Sequence, residues 1–183
     1  AFMSVGAVSV KVSKVTVKSP TGSTKTVYVG KGKTVSLKTT VTVTPNKAAN
    51  KKVTYTSSNK KIATVSAKGV VKGVKVGTTK ITVKSKKNAK KKKTITVKVK
   101  KKVTKVNMSE ATATVLTGAT KTLKATVSPA SAYNKVKWSS SNKTIATVTS
   151  AGVVTGLKPG TVAIKATAYD GSKKSATCNV TVK

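Results

Sequence analysis

The sequence predicts an all-β protein built as two antiparallel β-sandwiches in tandem, each of about seven strands. Three observations carry that expectation. Apolar residues alternate with threonine and lysine at period two, the spacing of a strand with one buried and one wet face. Turn-forming residues recur roughly every 8–12 positions. The second half of the chain repeats the first.

The repeat is read most plainly in SSNKKIATVSAKGVVKGVKVGTTKITV (57–83) and SSNKTIATVTSAGVVTGLKPGTVAIKA (140–166). They share 16 of 27 positions at a constant offset of 83, too many for coincidence between neutral stretches. The same register joins Val53 to Val136 and Val99 to Val182, pairing Tyr55 with Trp138 and Ile95 with Cys178. Upstream, SLKTTVTVTP (36–45) answers TLKATVSP (122–129) and VSKVTV (12–17) answers VTKVNM (103–108), with small insertions between. The joint falls near Lys100–Lys102. The expected division is a 1–11 extension or signal remnant, a first domain over 12–101 and a second over 102–183.

Taken in order, VSKVTV opens the first copy as a strand, and Val35, Leu37, Val41 and Val43 mark the next apolar face. Pro45-Asn46 turns the chain; Ser58-Asn59 turns it again ahead of the short strand IATV (62–65). Lys68-Gly69 and Gly77 separate the following strands, and TITVKVK (94–100) closes the copy with Ile95, Val97 and Val99 on one face. The second copy follows the same plan, with Val162, Ile164, Ala166 and Ala168 alternating before Asp170-Gly171, which reads as a type I′ hairpin turn.

The run WSSSNKTIATVTSAGVVTGLKPGTVAI, beginning at Trp138, resembles the bacterial immunoglobulin-like (Ig-like) domain, group 2. The first copy departs from it with Tyr55 for the tryptophan and Val76 for the proline. The resemblance covers most of residues 12–182. It implies a compact Ig-like sandwich, used as a repeated module in bacterial surface proteins, intimin- and invasin-like adhesins and some phage virion proteins. It implies no enzyme and no shared ligand site.

Composition excludes several chemistries. The 183 residues contain no histidine and two acids, Glu110 and Asp170, against 38 basic residues, every one a lysine. Acid–base catalysis wants histidine or paired carboxylates, and metal sites want Cys/His clusters or several oxygen ligands. The expectation is therefore no enzyme, no catalytic residues, no cofactor and no metal. Ser58–Lys61 and Ser140–Lys143 match the S-x-x-K spacing of serine–lysine hydrolases, but both sit in turns and serine and lysine are abundant. Gly30-Lys31-Gly32-Lys33-Thr34 looks like the end of a phosphate-cradling loop, yet Val27 stands where its first glycine belongs. Tyr55 and Trp138 read as packing aromatics, with a sugar-stacking platform as the alternative. An intramolecular Lys–Asn isopeptide bond would need a buried acid, and Asp170 reads more simply as a turn residue. Cys178 reads as a small buried hydrophobe; a lone thiol allows no internal disulfide.

The charge is uneven. Residues 1–102 hold 27 lysines and no acid, while 103–183 hold 11 lysines and both acids. The densest segment is Lys84–Lys102. Outward lysines keep sheet edges from pairing and keep a chain soluble. The functional reading singles out Lys84, Lys86, Lys87, Lys90, Lys91, Lys92 and Lys93 as a polyanion-binding cluster. Anionic cell-envelope or host glycans are the expected class, teichoic acid included. Without arginine there is no bidentate phosphate fork, so nucleic acid would bind only non-specifically.

No apolar run is long enough to span a membrane as a helix. Residues 1–10 have no counterpart in the second copy, and Val8, Val10 and Val12 alternate. This segment reads as a frayed or signal-derived terminus, or as a strand donated to a neighbour to build a filament. The expected protein is a non-enzymatic, extracellular bacterial surface or secreted module. It would act as a structural spacer or adhesion segment. The alternatives are a cationic module for envelope polyanions and a self-assembling filament or virion component.

Overall fold

A computed structural model describes residues 9–183; the strand-donation reading of residues 1–10 falls almost wholly outside them. Ser9 and Val10 precede the first strand and are exposed.

The first copy forms nine strand segments. One sheet joins β1 (Lys11–Lys18) to β4 (Lys38–Thr44), and continues as β3 (Thr34–Ser36), β7 (Val70–Gly73) and β6 (Ala63–Val65). β3 and β4 are one strand interrupted at Leu37, whose N–H bonds Gly69 O at 2.9 Å. The facing sheet has the order β2 (Thr26–Gly30), β9 (Lys92–Lys100), β8 (Gly77–Ser85), β5 (Val53–Ser57). A single 3-10 turn occupies Ala48–Lys51. The second copy repeats the plan in β10 (Lys105–Met108), β11 (Thr112–Val115), β12 (Thr120–Thr122), β13 (Ala125–Ser128), β14 (Val136–Ser140), β15 (Ala146–Val148), β16 (Val153–Gly156), β17 (Gly160–Ala168) and β18 (Ser175–Val182).

The architecture is the expected pair of all-β Ig-like sandwiches, with one refinement. The opening strand of each copy crosses between sheets, so β2 pairs β9 in parallel and β11 pairs β18 in parallel. Period two identifies a strand's buried face but is silent about which sheet it joins. The crossing is made by residues 19–25 in the first copy and by residues 109–111 in the second. That difference in length becomes important at the domain junction.

Alternation places the core as expected. Val35, Leu37, Val41, Val43, Ile81, Ile95, Val97 and Val99 are buried in the first sandwich. Val162, Ile164, Cys178, Val180 and Val182 are buried in the second. Cys178 stands opposite Ile164 and fills the place of Ile95; burial pushes its thiol pKa up.

The repeated SSNK turns have the same wiring. Ser57 Oγ donates to Ala63 O at 2.7 Å, as Ser140 Oγ does to Ala146 O. Asn59 Oδ1 accepts from Lys61 N and Asn142 Oδ1 from Thr144 N, both at 3.0 Å. IATV recurs because each turn must deliver its short strand to the same place.

Tyr55 and Trp138 are half-buried against their cores, each lying on a glycine of positive φ, Gly69 or Gly152. At Gly152 a Cβ would meet Leu123 O at 2.5 Å and the Trp138 ring at 2.9 Å; at Gly118, also of positive φ, it would meet nothing within 4 Å. Gly118→Ala should therefore cost about 1 kcal/mol, the price of a left-handed alanine. Gly152→Ala should cost about 1–3 kcal/mol more through overpacking. Equilibrium urea unfolding of both variants checks this; equal losses would mean Trp138 yields freely.

Candidate functional site

Two features stand apart from the repeated scaffold: the seam between the copies and the lysine-rich end of the first copy. The seam is built by loops of the second copy closing on the edge of the first. Its centre is Asp170, which is fully buried. Its Oδ2 accepts the N–H of Val103 at 2.7 Å, Oδ1 accepts that of Ser172 at 2.9 Å, and its carbonyl accepts that of Gly30 at 2.9 Å. A Cβ at Gly30 would lie 2.6 Å from the carboxylate, so only glycine admits it.

This corrects the reading of Asp170-Gly171 as a two-residue hairpin turn. The β17–β18 loop runs over 169–174, and Ala168 N bonds Lys174 O at 2.8 Å across it. The loop is long because it docks: Gly171 sits against Thr34 and Tyr169 against Gly22. Each oxygen of the buried carboxyl group accepts from a backbone amide, and no lysine pairs with it.

Beside it, the rings of Tyr133 and Tyr28 stack at 3.9 Å with an interplanar angle of 2°. Tyr133 Oη donates to Thr21 O at 2.8 Å, and Lys135 Nζ donates to Gly22 O. Both acceptors belong to the crossing segment 19–25, the one that is longer in the first copy. Burial, then the neighbouring Tyr28 and Tyr169, pushes the Tyr133 pKa up from 10.0 to about 12.

The lysine cluster lies at the other end. Lys84, Lys86, Lys87, Lys90, Lys91, Lys92 and Lys93 are all exposed on the tip of the β8–β9 hairpin. Lys92 to Lys100 spans eight steps of β9, about 26 Å at strand rise, from this tip to the seam. The loop backbone is firmly held. Buried Ser85 accepts Lys87 N and Asn88 N through Oγ, both at 3.2 Å, and Lys86 N bonds Lys52 O at 2.9 Å. Neither acid neutralises the cluster: Glu110 pairs with Lys121 at 2.9 Å, and Asp170 is spent at the seam. At the repeat offset of 83, this loop is the counterpart of the one carrying Asp170. One copy's loop docks; the other's presents charge.

The alternative motifs are absorbed by the fold. Ser58 Oγ lies 2.9 Å from Thr79 Oγ1 and accepts Lys80 N at 3.1 Å, within a turn. The amides of Lys31, Gly32 and Lys33 bond Lys100 O, Gly73 O and Gly30 O, leaving no cradle for phosphate. Among the described residues, no group of three or more His, Cys, Asp or Glu gathers as a metal site, and no helix is long and apolar enough to cross a membrane.

The family model of the bacterial Ig-like domain (group 2) matches residues 4–97 and again residues 102–180. The chain belongs to that family. Among curated relatives, a kappa-carrageenase from Pseudoalteromonas carrageenovora is 53% identical over 60 residues, covering 33% of this chain and 15% of the relative. A 3-O-alpha-D-galactosyl-alpha-L-arabinofuranosidase from Bifidobacterium longum subsp. longum is 52% identical over 54 residues, covering 30% of this chain and 5% of the relative. The Ig-like chain thus spans a small part of the curated proteins it matches. Among solved structures, domains 5-6 of the S-layer protein SbsC align with a TM-score of 0.42 and 19% identity, covering 95% of this chain and 99% of that one. The C-terminal 282-residue fragment of intimin, solved with the intimin-binding domain of its translocated receptor, aligns with a TM-score of 0.34 and 19% identity, covering 94% and 64%.

Sequence reasoning missed the seam. Its signal was present as the insertion at 19–25 and as the replacement of Asn50, Lys86 and Lys87 by Tyr133, Tyr169 and Asp170. Asp170→Ala should strand the Val103 N–H and cost about 1–3 kcal/mol, the usual penalty for an unsatisfied buried donor. It should also broaden the inter-domain distance distribution between spin labels; an unbroadened distribution would show that the carboxylate does not hold the seam.

Tyr133 gives a pH signature. Its folded pKa lies above the ordinary value, so its contribution is complete below pH 10.0 and is lost as pH rises through about 12. Ultraviolet titration of the four tyrosines should show one ionising late, and Tyr133→Phe should remove that step.

Proposed function

We propose that this tandem Ig-like pair is a non-enzymatic spacer or adhesion segment of an extracellular bacterial surface or secreted protein. The seam carries the reading. Two sandwiches joined by a free linker would need neither a buried carboxylate nor a stacked tyrosine pair between them. Here Tyr28 and Thr21 of one copy meet Tyr133 of the other, Gly30 meets Asp170 and Gly22 meets Lys135, which suits a unit that holds its length under load. We place the division at 101/102, with 1–11 as an N-terminal extension or signal remnant. The partial matches to a kappa-carrageenase and to a 3-O-alpha-D-galactosyl-alpha-L-arabinofuranosidase accord with an extracellular setting. Small-angle X-ray scattering tests it: wild type should fit one end-to-end particle, and Asp170→Ala with Tyr133→Ala should require an ensemble. A wild-type chain that itself needs an ensemble would remove the spacer reading.

A second reading is favoured by the un-neutralised hairpin, a cationic surface for envelope or host polyanions. Charge of this kind binds by releasing counterions, so affinity should fall steeply with salt. Titration with heparin from low to physiological ionic strength should show that fall. Affinity unchanged by salt would refute an electrostatic origin.

A further inference from the structure

The first copy carries a second basic feature, on its flank. β5 is the edge strand of its sheet, and along it run three contiguous depressions of about 260, 400 and 340 Å³ that all share Tyr55. Lys51, Lys52, Lys60, Lys68 and Lys86 line them. Thr39, Thr40, Thr56 and Thr64 line the same depressions. Tyr55 is held rigid: its Oη donates to Thr39 Oγ1 at 2.9 Å, and Gly69 lies so close beneath the ring that a Cβ would be 2.8 Å away.

We propose that this trough binds a linear anionic polysaccharide, its sulfate or carboxylate groups meeting the lysines and a sugar ring lying against Tyr55. The inference rests on the polyanion reading above and locates it beside the hairpin tip, with which the trough shares Lys86. Its length decides against a small anion, since a five-residue strand spans about 17 Å. Its chemistry decides against nucleic acid, because there is a single aromatic where successive bases need several, and no arginine to grip phosphate in two places. Ammonium groups spaced along a threonine-lined trough match a polymer that carries spaced charges and many hydroxyls.

The second copy is a built-in control. At the positions of Lys51, Lys68 and Lys86 it has Asn134, Ala151 and Tyr169, and its counterpart of Lys52, Lys135, is engaged at the seam. Trp138 occupies the place of Tyr55. The same scaffold therefore tolerates uncharged residues at three of the five positions, while Lys143 keeps the charge of Lys60.

The test uses the whole chain and two probes with one backbone, fluorescent dextran sulfate and neutral dextran, followed by anisotropy at low salt. The trough variant combines Lys51→Asn with Lys68→Ala, importing the second copy's residues. The hairpin variant combines Lys90→Ala, Lys91→Ala, Lys92→Ala and Lys93→Ala. Thermal melts of both confirm that they fold. Wild type should bind dextran sulfate and not dextran, the Tyr55 ring resonances should shift on binding, and the trough variant should weaken binding about tenfold with a shallower salt dependence. If the trough variant binds as wild type while the hairpin variant fails, the trough is overturned and the polyanion reading stands. If wild type does not bind at all, both fall. Single-stranded DNA of equal charge displacing the probe at equal or lower concentration would overturn the assignment to a polysaccharide.

Discussion

One buried aspartate organises the relation between the two domains. Asp170 has no lysine partner in a chain of 38 lysines, yet it is fully enclosed. A buried polar group is tolerable only when it is hydrogen-bonded: the amides of Val103 and Ser172 donate to the side-chain oxygens, and that of Gly30 donates to the main-chain carbonyl. Each contact fixes a different element: Val103 the linker, Ser172 the docking loop, Gly30 the last residue of β2. The seam is thus specified by geometry that only amides at those places can meet. The stacked tyrosines add area beside it, and the hydroxyl of Tyr133 ties them to the crossing segment.

The remaining charge has the opposite character. Lysines at the hairpin tip and along β5 are exposed, and no acid stands near to neutralise them. In isolation they repel, which keeps sheet edges from pairing and leaves a field for a polyanion to answer. The two copies divide the work. The docking loop of the second buries Asp170 at the seam, while the equivalent loop of the first carries lysines into solvent. The two copies share one plan, and the loops at one pole serve cohesion in one copy and present charge in the other.

Much of the scaffold was legible in the chain. Val35, Leu37, Val41 and Val43 lie inward, and so do Ile95, Val97 and Val99, because a pleated strand places alternate residues on one face. The SSNK turns were legible because asparagine and serine close them with their own side chains. The lysine cluster was legible as charge density. Asp170 was not, because Asp-Gly between two strands has the same local signature whether the loop turns tightly or reaches across to another domain. Tyr55 was read as packing, which holds for one side of its ring; that it also lines a trough depends on residues from Thr39 to Lys86 folding around it.

By itself, then, the sequence determined the class of fold, its duplication, the buried faces and the sign of the surface, because each follows from spacing within a strand or from composition. Tertiary structure decided what is non-local: that residues 19–25 receive Tyr133, that Asp170 meets Val103 and Gly30, and that five scattered lysines share one edge with Tyr55. Local pattern encodes which face of a strand is wet. It does not encode which distant loop will cover that face, since closure distances and docking partners exist only once the sheets have packed.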